Sequence, residues 1–151
     1  AVSQHLAKAI ARDGEGATCL IEVQVEGAVD DAAAITIART ICGSSLVKCA
    51  IHGCDPNWGR IVAAAGRSGV AFDPEAVALW LGAFQLMQGG QPLAFDRAGA
   101  SSYLRGAQAG AYLQDDTVAI RLAVGDGPGR GRAWGCDLSD QYIRINADYT
   151  T

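Results

Sequence analysis

The residue best placed for chemistry is Glu15, which lies between two glycines in the stretch RDGEGAT at residues 12–18. Flanking glycines let the backbone turn sharply and leave the carboxylate unshielded. A glutamate presented in this way could meet the ammonium group of a substrate. A solvated glutamate at a surface turn is the simpler interpretation, and composition alone favours it.

A second candidate is the stretch CAIHGC, which brings Cys49, His52 and Cys54 close together. Zinc sites need about four ligands, usually supplied as two spaced pairs. The spacing here is irregular, and His5 is the only other histidine. The pattern therefore favours buried free thiols near the end of a strand over a structural zinc site. The odd total of five cysteines is also typical of free thiols in a reducing compartment.

The glycine-rich stretch GDGPGRGR at residues 125–132 resembles a phosphate-binding loop only superficially. It lacks the Gly-Lys-Ser/Thr sequence that supplies the phosphate lysine and the magnesium hydroxyl. A flexible connection between strands is the favoured interpretation, although Arg130 and Arg132 could meet an anionic partner. An alternative function follows, in which the chain is a stand-alone α+β binding module that uses this loop for an anionic ligand.

Amino-acid composition limits the classes of protein to which this chain could belong. The 151 residues are 50% hydrophobic and 19% charged, with 19 glycines and a net charge of −4. These values suit a single globular domain, or a compact piece of a larger one, with tight turns and a real core. The acidic balance argues against non-specific nucleic-acid binding. No apolar run is long enough to span a bilayer, so we expect no membrane partner and a cytoplasmic location.

The candidate residues must be positioned by interleaved helices and strands. Periodicity predicts four helices, and two of them are at 2–12 and 96–107. A third begins at Asp30 or Asp31 as its cap and ends at Gly43. The fourth ends at Gly66, with Asp55 as its N-cap and Pro56 as its first helical residue. Periodicity also predicts strands at 20–27, 46–51, after the Asp73-Pro74 turn, on both sides of a Gly89-Gly90 hairpin, at 117–125, after the glycine-rich stretch and at 141–145. Hairpin signals dominate the second half, which favours an α+β fold with a mixed or antiparallel sheet.

Four stretches together carry a family resemblance. They are RDGEGAT (12–18), GCDPNWGRIVAAAG (53–66), AWGCDLS (133–139) and YIRINADYTT (142–151). In this order they resemble the C-terminal part of the ornithine acetyltransferases, also called bifunctional glutamate N-acetyltransferases of arginine biosynthesis. The resemblance covers essentially the whole chain and implies the DmpA/ornithine-acetyltransferase-like, Ntn-like fold.

The resemblance also implies an activity. Family members transfer acetyl from N2-acetylornithine to glutamate through an acetyl-threonine intermediate, and some also acetylate glutamate from acetyl-CoA. No cofactor is expected. The precursor cleaves itself before a threonine, which becomes the N-terminal nucleophile of a β chain, and the expected assembly is an α2β2 heterotetramer. An N-terminal amine can serve as the base for its own hydroxyl.

The chain departs from the family pattern because the cleavage stretch is absent. We therefore expect the C-terminal portion of the β chain, without the nucleophile and inactive alone. Residues 1–27 would complete the catalytic core, and 28–151 would form a C-terminal domain whose tail returns to the active site. An exposed apolar patch, or self-association that covers it, is expected on the helix at 2–12 and the strand at 20–25. A smaller departure is Cys19, where the family commonly has Lys.

Three residues match family positions that contact the amino-acid substrate. They are Glu15, Asn146 on an expected final strand, and the last residue Thr151, and they should converge in space. Glu15 would bind the ammonium of ornithine. The resemblance assigns a packing role to the stretch around Trp58 and Arg60, with Arg60 in a buried ion pair with Asp55 or Asp137.

Overall fold

The computed structural model describes residues 2–149, which form an α+β fold built on one six-stranded mixed sheet. The helices are α1 (Val2–Arg12), α2 (Asp31–Cys42), α3 (Ser45–His52), α4 (Trp58–Gly66), α5 (Arg97–Gln108) and α6 (Asp140–Asp148), with a short 3-10 turn at Pro74–Ala76. The strands are β1 (Leu20–Ala28), β2 (Ala78–Leu81), β3 (Phe84–Gln88), β4 (Gln91–Pro92), β5 (Thr117–Ala123) and β6 (Gly129–Cys136). Their order is β4-β3-β2-β5-β1-β6. Only β1 and β5 run parallel, as expected for a mixed sheet.

The core lies between one face of this sheet and the helices α2 to α5. Ile21 and Val23 of β1 alternate towards that face and are fully buried. β6 presents Gly131 in the same row, opposite Val25. A Cβ atom on Gly131 would lie 2.4 Å from the backbone nitrogen of Ile35, so α2 can pack this closely only over a glycine.

The opposite face of the sheet is polar near its centre. The Glu22 carboxylate accepts from Trp134 Nε1 at 2.7 Å and from Gln24 Nε2 at 2.8 Å, and it pairs with Lys8 Nζ at 2.8 Å. Burial by itself would raise the pKa of Glu22, but these bonds outweigh burial and lower it. Glu22 therefore remains charged while nearly buried, and it helps to attach α1 to the sheet.

Most sequence-based elements are confirmed. Asp30 is the N-cap of α2, where its side chain accepts from Ala33 N, and the Gly89-Gly90 pair connects β3 to β4. α1, β1, α5, β5 and β6 also lie where the patterns predicted them. The division expected at residues 27/28 concerns the complete protein and stays a prediction; here β1 shares one sheet with β5 and β6.

Two predicted strands are wrong. Residues 46–51 lie in α3, where Val47, Ala50 and Ile51 are buried at helical spacing. A short apolar run does not distinguish a strand from a buried helical turn. Residues 141–145, predicted as the last strand, lie in α6, so Asn146 is on a helix. A helix satisfies its own backbone groups, which an unpaired strand after β6 would leave open.

The predicted cap of α4 is also wrong, because Asn57, not Asp55, caps this helix by accepting from Arg60 N. Asp55 instead accepts from the Asn57 side chain at 2.8 Å. Pro56 therefore precedes the helix, which begins two residues later at Trp58.

The exposed apolar patch is confirmed for the helix and wrong for the strand. On α1, Val2, Leu6 and Ile10 are 74%, 54% and 78% exposed, whereas Leu20 and Ile21 of β1 are fully buried. The strand needs no outside partner because the sheet and α2 enclose it.

Across residues 2–149 no single helix has both the length and the apolar character to cross a membrane; α2 and α3, bent by 56° at their junction, reach these limits only as a pair.

Candidate functional site

The structure brings Glu15 and Asn146 into contact although 131 residues separate them. Asn146 Nδ2 donates to Glu15 Oε2 at 2.6 Å and also to the backbone oxygen of Tyr142 at 2.9 Å. The third member of the predicted set, Thr151, lies outside the described residues. Two of the three positions that the family resemblance selected therefore share one place on the molecule.

Glycines on both sides of Glu15 allow the turn to sit against neighbouring backbone. Gly16 has φ +68°, and a Cβ there would lie 2.6 Å from Gln141 Cβ on α6. A Cβ on Gly14 would lie 2.4 Å from Cys136 Sγ at the end of β6. The glycines are needed because the turn is enclosed by the end of β6 and the start of α6, which leaves the Glu15 side chain directed away from the packing.

Arg12 closes the turn from its N-terminal side. Its guanidinium donates to Asp116 Oδ2 at 2.5 Å and to the backbone oxygens of Ala17 and Thr18, each at 2.9 Å. Asp116 is fully buried and also accepts from Leu113 N at 2.9 Å. Several charge-assisted bonds from one planar group hold the loop rigidly. No sequence pattern predicts this role; the only signal is that Arg12 begins the matching stretch RDGEGAT.

Asp137 holds the turn from its C-terminal side. Its carboxylate accepts from Thr18 N and Thr18 Oγ1, each at 2.7 Å, and from Cys19 N at 3.0 Å. His52 Nδ1 lies 2.7 Å from Oδ2, which ties the end of α3 to the same group. Burial would raise the pKa of Asp137, but the bonds from Cys19, Thr18 and His52 outweigh it and lower the pKa.

The Glu15–Asn146 pair is suited to binding a cation. Both amide hydrogens of Asn146 are already donated within the chain, so the group that it can offer to a ligand is the acceptor Oδ1. Between residues 2 and 149, no basic group forms an ion pair with Glu15, whose Oε1 accepts no hydrogen bond from these residues. Both side chains are exposed. This chain therefore offers one carboxylate and one carbonyl oxygen to an ammonium group, on an open surface.

The cysteine–histidine stretch looks different from its prediction. Cys49 is exposed on α3 and Cys54 is half-buried, so the expectation of buried thiols near a strand end is wrong for this pair. Cys19 and Cys42 are buried, and burial raises the pKa of each thiol to about 12. In the part of the chain that the structure describes, no group of three or more His, Cys, Asp or Glu side chains could hold a metal ion.

The two arginines of the glycine-rich stretch face carboxylates. Arg130 Nη1 lies 3.2 Å from Glu26 Oε2, and Arg132 Nε lies 3.8 Å from Glu22 Oε1. Both arginines line a surface cleft that also includes Glu26, so the cleft carries charges of both signs. This gives the alternative anion-binding function no support.

The ion pair predicted for Arg60 is wrong. Its Nη1 donates to the backbone oxygen of Leu46 at 3.0 Å, while Asp55 pairs with Arg97 at 3.2 Å and Asp137 with His52. Trp58 is partly buried against the hydrophobic core, in agreement with the packing role that the resemblance implied.

The α+β fold, with its acidic turn packed on the last helix, is shared with the bifunctional proteins of arginine biosynthesis. A crystal structure titled arginine biosynthesis bifunctional protein ArgJ from Bacillus halodurans matches it with a TM-score of 0.90 and 44% identity, over 98% of this chain and 66% of that chain. The model of the ArgJ family matches residues 1–151. The chain belongs to the ArgJ family.

Curated relatives have a higher sequence identity to this chain than the Bacillus protein has. The arginine biosynthesis bifunctional protein ArgJ of Prochlorococcus marinus (strain MIT 9313) is 73% identical over 99% of this chain, which is 35% of that protein. The ArgJ of a Synechococcus strain is 71% identical over the whole chain, which is 36% of that protein. The chain thus spans about a third of the length of the curated relatives it matches, and a larger share of the crystallised Bacillus chain.

Proposed function

We propose that this chain is the C-terminal portion of the β chain of a glutamate N-acetyltransferase, which moves acetyl from N2-acetylornithine to L-glutamate in arginine biosynthesis. Its membership of the ArgJ family supports the pathway, since the relatives are named for arginine biosynthesis and for two functions. The contact between Glu15 and Asn146 is the observation that carries the proposal for this chain. It provides recognition of a diamino acid rather than bond-making chemistry.

The bond-making steps belong to a threonine that this chain does not contain. Its hydroxyl oxygen attacks the acetyl carbonyl of N2-acetylornithine, and the free N-terminal amine of the same threonine takes the hydroxyl proton. The C–N bond then breaks, and the ornithine nitrogen leaves with that proton. The amine of glutamate next attacks the acetyl ester, which yields N-acetylglutamate and restores the threonine hydroxyl. Acetyl-CoA, where it is used, would enter as a substrate and not as a cofactor.

The residues of this chain bind and orient the amino-acid part of the substrate. Glu15 Oε1 and Asn146 Oδ1 accept hydrogen bonds from the ammonium of ornithine, and the Glu15 charge neutralises it. Thr151 completes the set from the family resemblance. Arg12 and Asp137 hold the turn between them, so the carboxylate meets the substrate without first reorganising.

The walls of the closed pocket come from the part of the protein outside this chain. Two observations support a processed, multi-chain enzyme. This chain covers 66% of the crystallised Bacillus chain but only about a third of each curated relative. The crystallised chain is therefore shorter than the curated relatives. The apolar side chains of α1 are also uncovered. We propose an α2β2 heterotetramer in the cytoplasm, with this chain inactive alone and residues 1–27 completing the catalytic core domain.

The substitution Glu15→Gln in the complete enzyme tests this role. It keeps the shape of the side chain and removes its charge. We expect KM for N2-acetylornithine to rise about ten- to a hundredfold, the range for one hydrogen bond to a charged group, with little change in kcat. Steady-state kinetics over a range of N2-acetylornithine concentrations measures both constants.

The matched control is Glu75→Gln, an exposed glutamate beside the β3–β4 hairpin at the far edge of the sheet from β6. This control should leave both constants unchanged. An unaltered KM in Glu15→Gln, or equal effects of the two substitutions, would remove Glu15 from the substrate site.

A further inference from the structure

Ser139 occupies the N-cap position of α6 but does not cap it. Its backbone is extended, with φ −92° and ψ 168°, as N-cap residues usually are, yet its side chain accepts no hydrogen bond from the first turn of the helix. Instead, Ser139 Oγ donates to the backbone oxygen of Gly16 at 2.7 Å, in the turn that carries Glu15. The Ser139 residue is only 4% exposed. The hydroxyl therefore joins two segments rather than ending one.

The space around this bond is filled on the turn side. A Cβ on Gly16 would lie 2.9 Å from Ser139 Oγ and 3.0 Å from Tyr142 N. The turn thus touches the first turn of α6 directly, with no room for a side chain. A contact of this kind fixes the separation between the two segments closely.

No residue of α6 is buried, and within residues 2–149 the side-chain hydrogen bond from this helix to the rest of the fold is that of Asn146 to Glu15. The bond between Ser139 and Gly16 lies next to Glu15 in the turn, and Asn146 lies about two helical turns beyond Ser139 on α6. The position of Asn146 relative to Glu15 therefore depends on how firmly the start of α6 is held to the turn.

We propose that Ser139 is a positioning residue for substrate binding, which sets the distance and angle between Glu15 and Asn146 through its bond to Gly16. This inference deepens the proposed function and rests on it. Ser139 does not touch the substrate. It acts through Glu15 and Asn146, so its removal loosens the pair of acceptors without removing either one.

The test is a double-mutant cycle in the complete enzyme with Ser139→Ala and Glu15→Gln. Ser139→Ala alone should raise KM for N2-acetylornithine about three- to tenfold, the size expected for one neutral hydrogen bond, with kcat nearly unchanged. In the Glu15→Gln background, Ser139→Ala should raise KM little further, because the acceptor that it positions has already lost its charge. Should Ser139→Ala fail to fold, Ser139→Cys replaces it, since a thiol fills similar space but is a weak donor.

Ser44→Ala is the matched control. Ser44 is also a buried serine at a helix N-cap, but its hydroxyl accepts from Val47 N and caps α3 in the ordinary way. This substitution should lower the melting temperature and leave KM unchanged.

The outcomes separate the two claims. If Glu15→Gln raises KM and Ser139→Ala does not, the positioning role alone is overturned. It is also overturned if the two effects on KM simply multiply in the double variant. If Glu15→Gln itself leaves KM unchanged, the proposed site fails and the inference fails with it.

Discussion

At the scale of single residues, two carboxylates in this chain differ in environment and therefore in role. Glu15 is exposed and accepts only one hydrogen bond from the described residues, so its charge is available to a ligand. Asp137 is buried and accepts from Thr18, Cys19 and His52, so its charge is used within the fold. A buried carboxylate with several donors stabilises the folded state only while it is ionised.

The pH dependence of stability should report on Asp137. The pKa of Asp137 is lower in the folded state than in the unfolded chain, where it is about 3.9. The contribution of its charge to the free energy of unfolding is therefore complete above the unfolded pKa. This contribution is lost as the pH falls through the lower pKa of the folded state. Asp137→Asn should therefore destabilise the chain by about 1–3 kcal/mol near pH 6, where it leaves donors without a charged acceptor. The gap between the variant and the wild type should narrow as the pH falls below about 4.

Urea denaturation at a series of pH values measures this difference. A gap that stays constant from pH 6 to pH 3 would mean that the Asp137 charge contributes no pH-dependent stability.

At the scale of elements, the position of α2 over the sheet depends on small residues in β6. The backbone of α2 passes so close to β6 that Gly131 has no room for a side chain. Ala133 follows in the same row, and it is buried opposite Val23. A row of small residues lets the helix backbone approach the sheet and enclose β1, the strand that continues from the Glu15 turn.

The close approach of α2 can be tested by adding one methyl group. Gly131→Ala should destabilise the chain by about 1–3 kcal/mol, because its Cβ would meet the backbone of α2, which cannot move aside without repacking the core. Gly106→Ala is the control, since Gly106 lies inside α5 with nothing within 4 Å of an added Cβ. The control should stabilise by about 0.5–1 kcal/mol through helix propensity. Thermal and urea unfolding measure both, and equal effects would contradict the packing explanation.

At the scale of the whole molecule, the chain has an enclosed core and two helices that remain largely uncovered. No residue of α1 or of α6 is buried, and the apolar residues Leu6, Ile10 and Ile143 are among those exposed. Exposed apolar stripes of this kind mark surfaces that meet other protein. The curated relatives are about three times as long as this chain, so the remaining part of the protein is the expected partner.

Assembly with that remaining part should depend on the α1 stripe. We expect Leu6→Asp combined with Ile10→Asp to weaken copurification of this chain with the separately expressed remainder, and to lower the acetyl transfer that the mixture recovers. The control pair is Gln4→Asp with Arg67→Asp, at exposed polar positions on α1 and after α4, and it should copurify normally. Normal recovery with the stripe variant would show that α1 does not contribute to the interface.

The sequence by itself determined the elements whose signals are local. The alternation in β1, the Asp30 cap and the Gly89-Gly90 pair each depend on neighbouring residues, so they could be predicted without knowledge of the fold. Glu15 and Asn146 were selected through the family resemblance, since neither their types nor their spacing indicates that they meet.

Tertiary structure decided the rest. α3 is a helix because the surrounding packing, and not the local pattern, settles the conformation of a short apolar run. α6 has no buried residue, and it is a helix because no neighbouring strand is present to pair its backbone groups. Asp137, Ser139 and Arg12 act on partners 118, 123 and 104 residues away, and no periodicity in the sequence records such distances. Hydrogen bonds between remote segments form only once the sheet has brought those segments together, and for this reason the positioning of Glu15 could be read only from the folded chain.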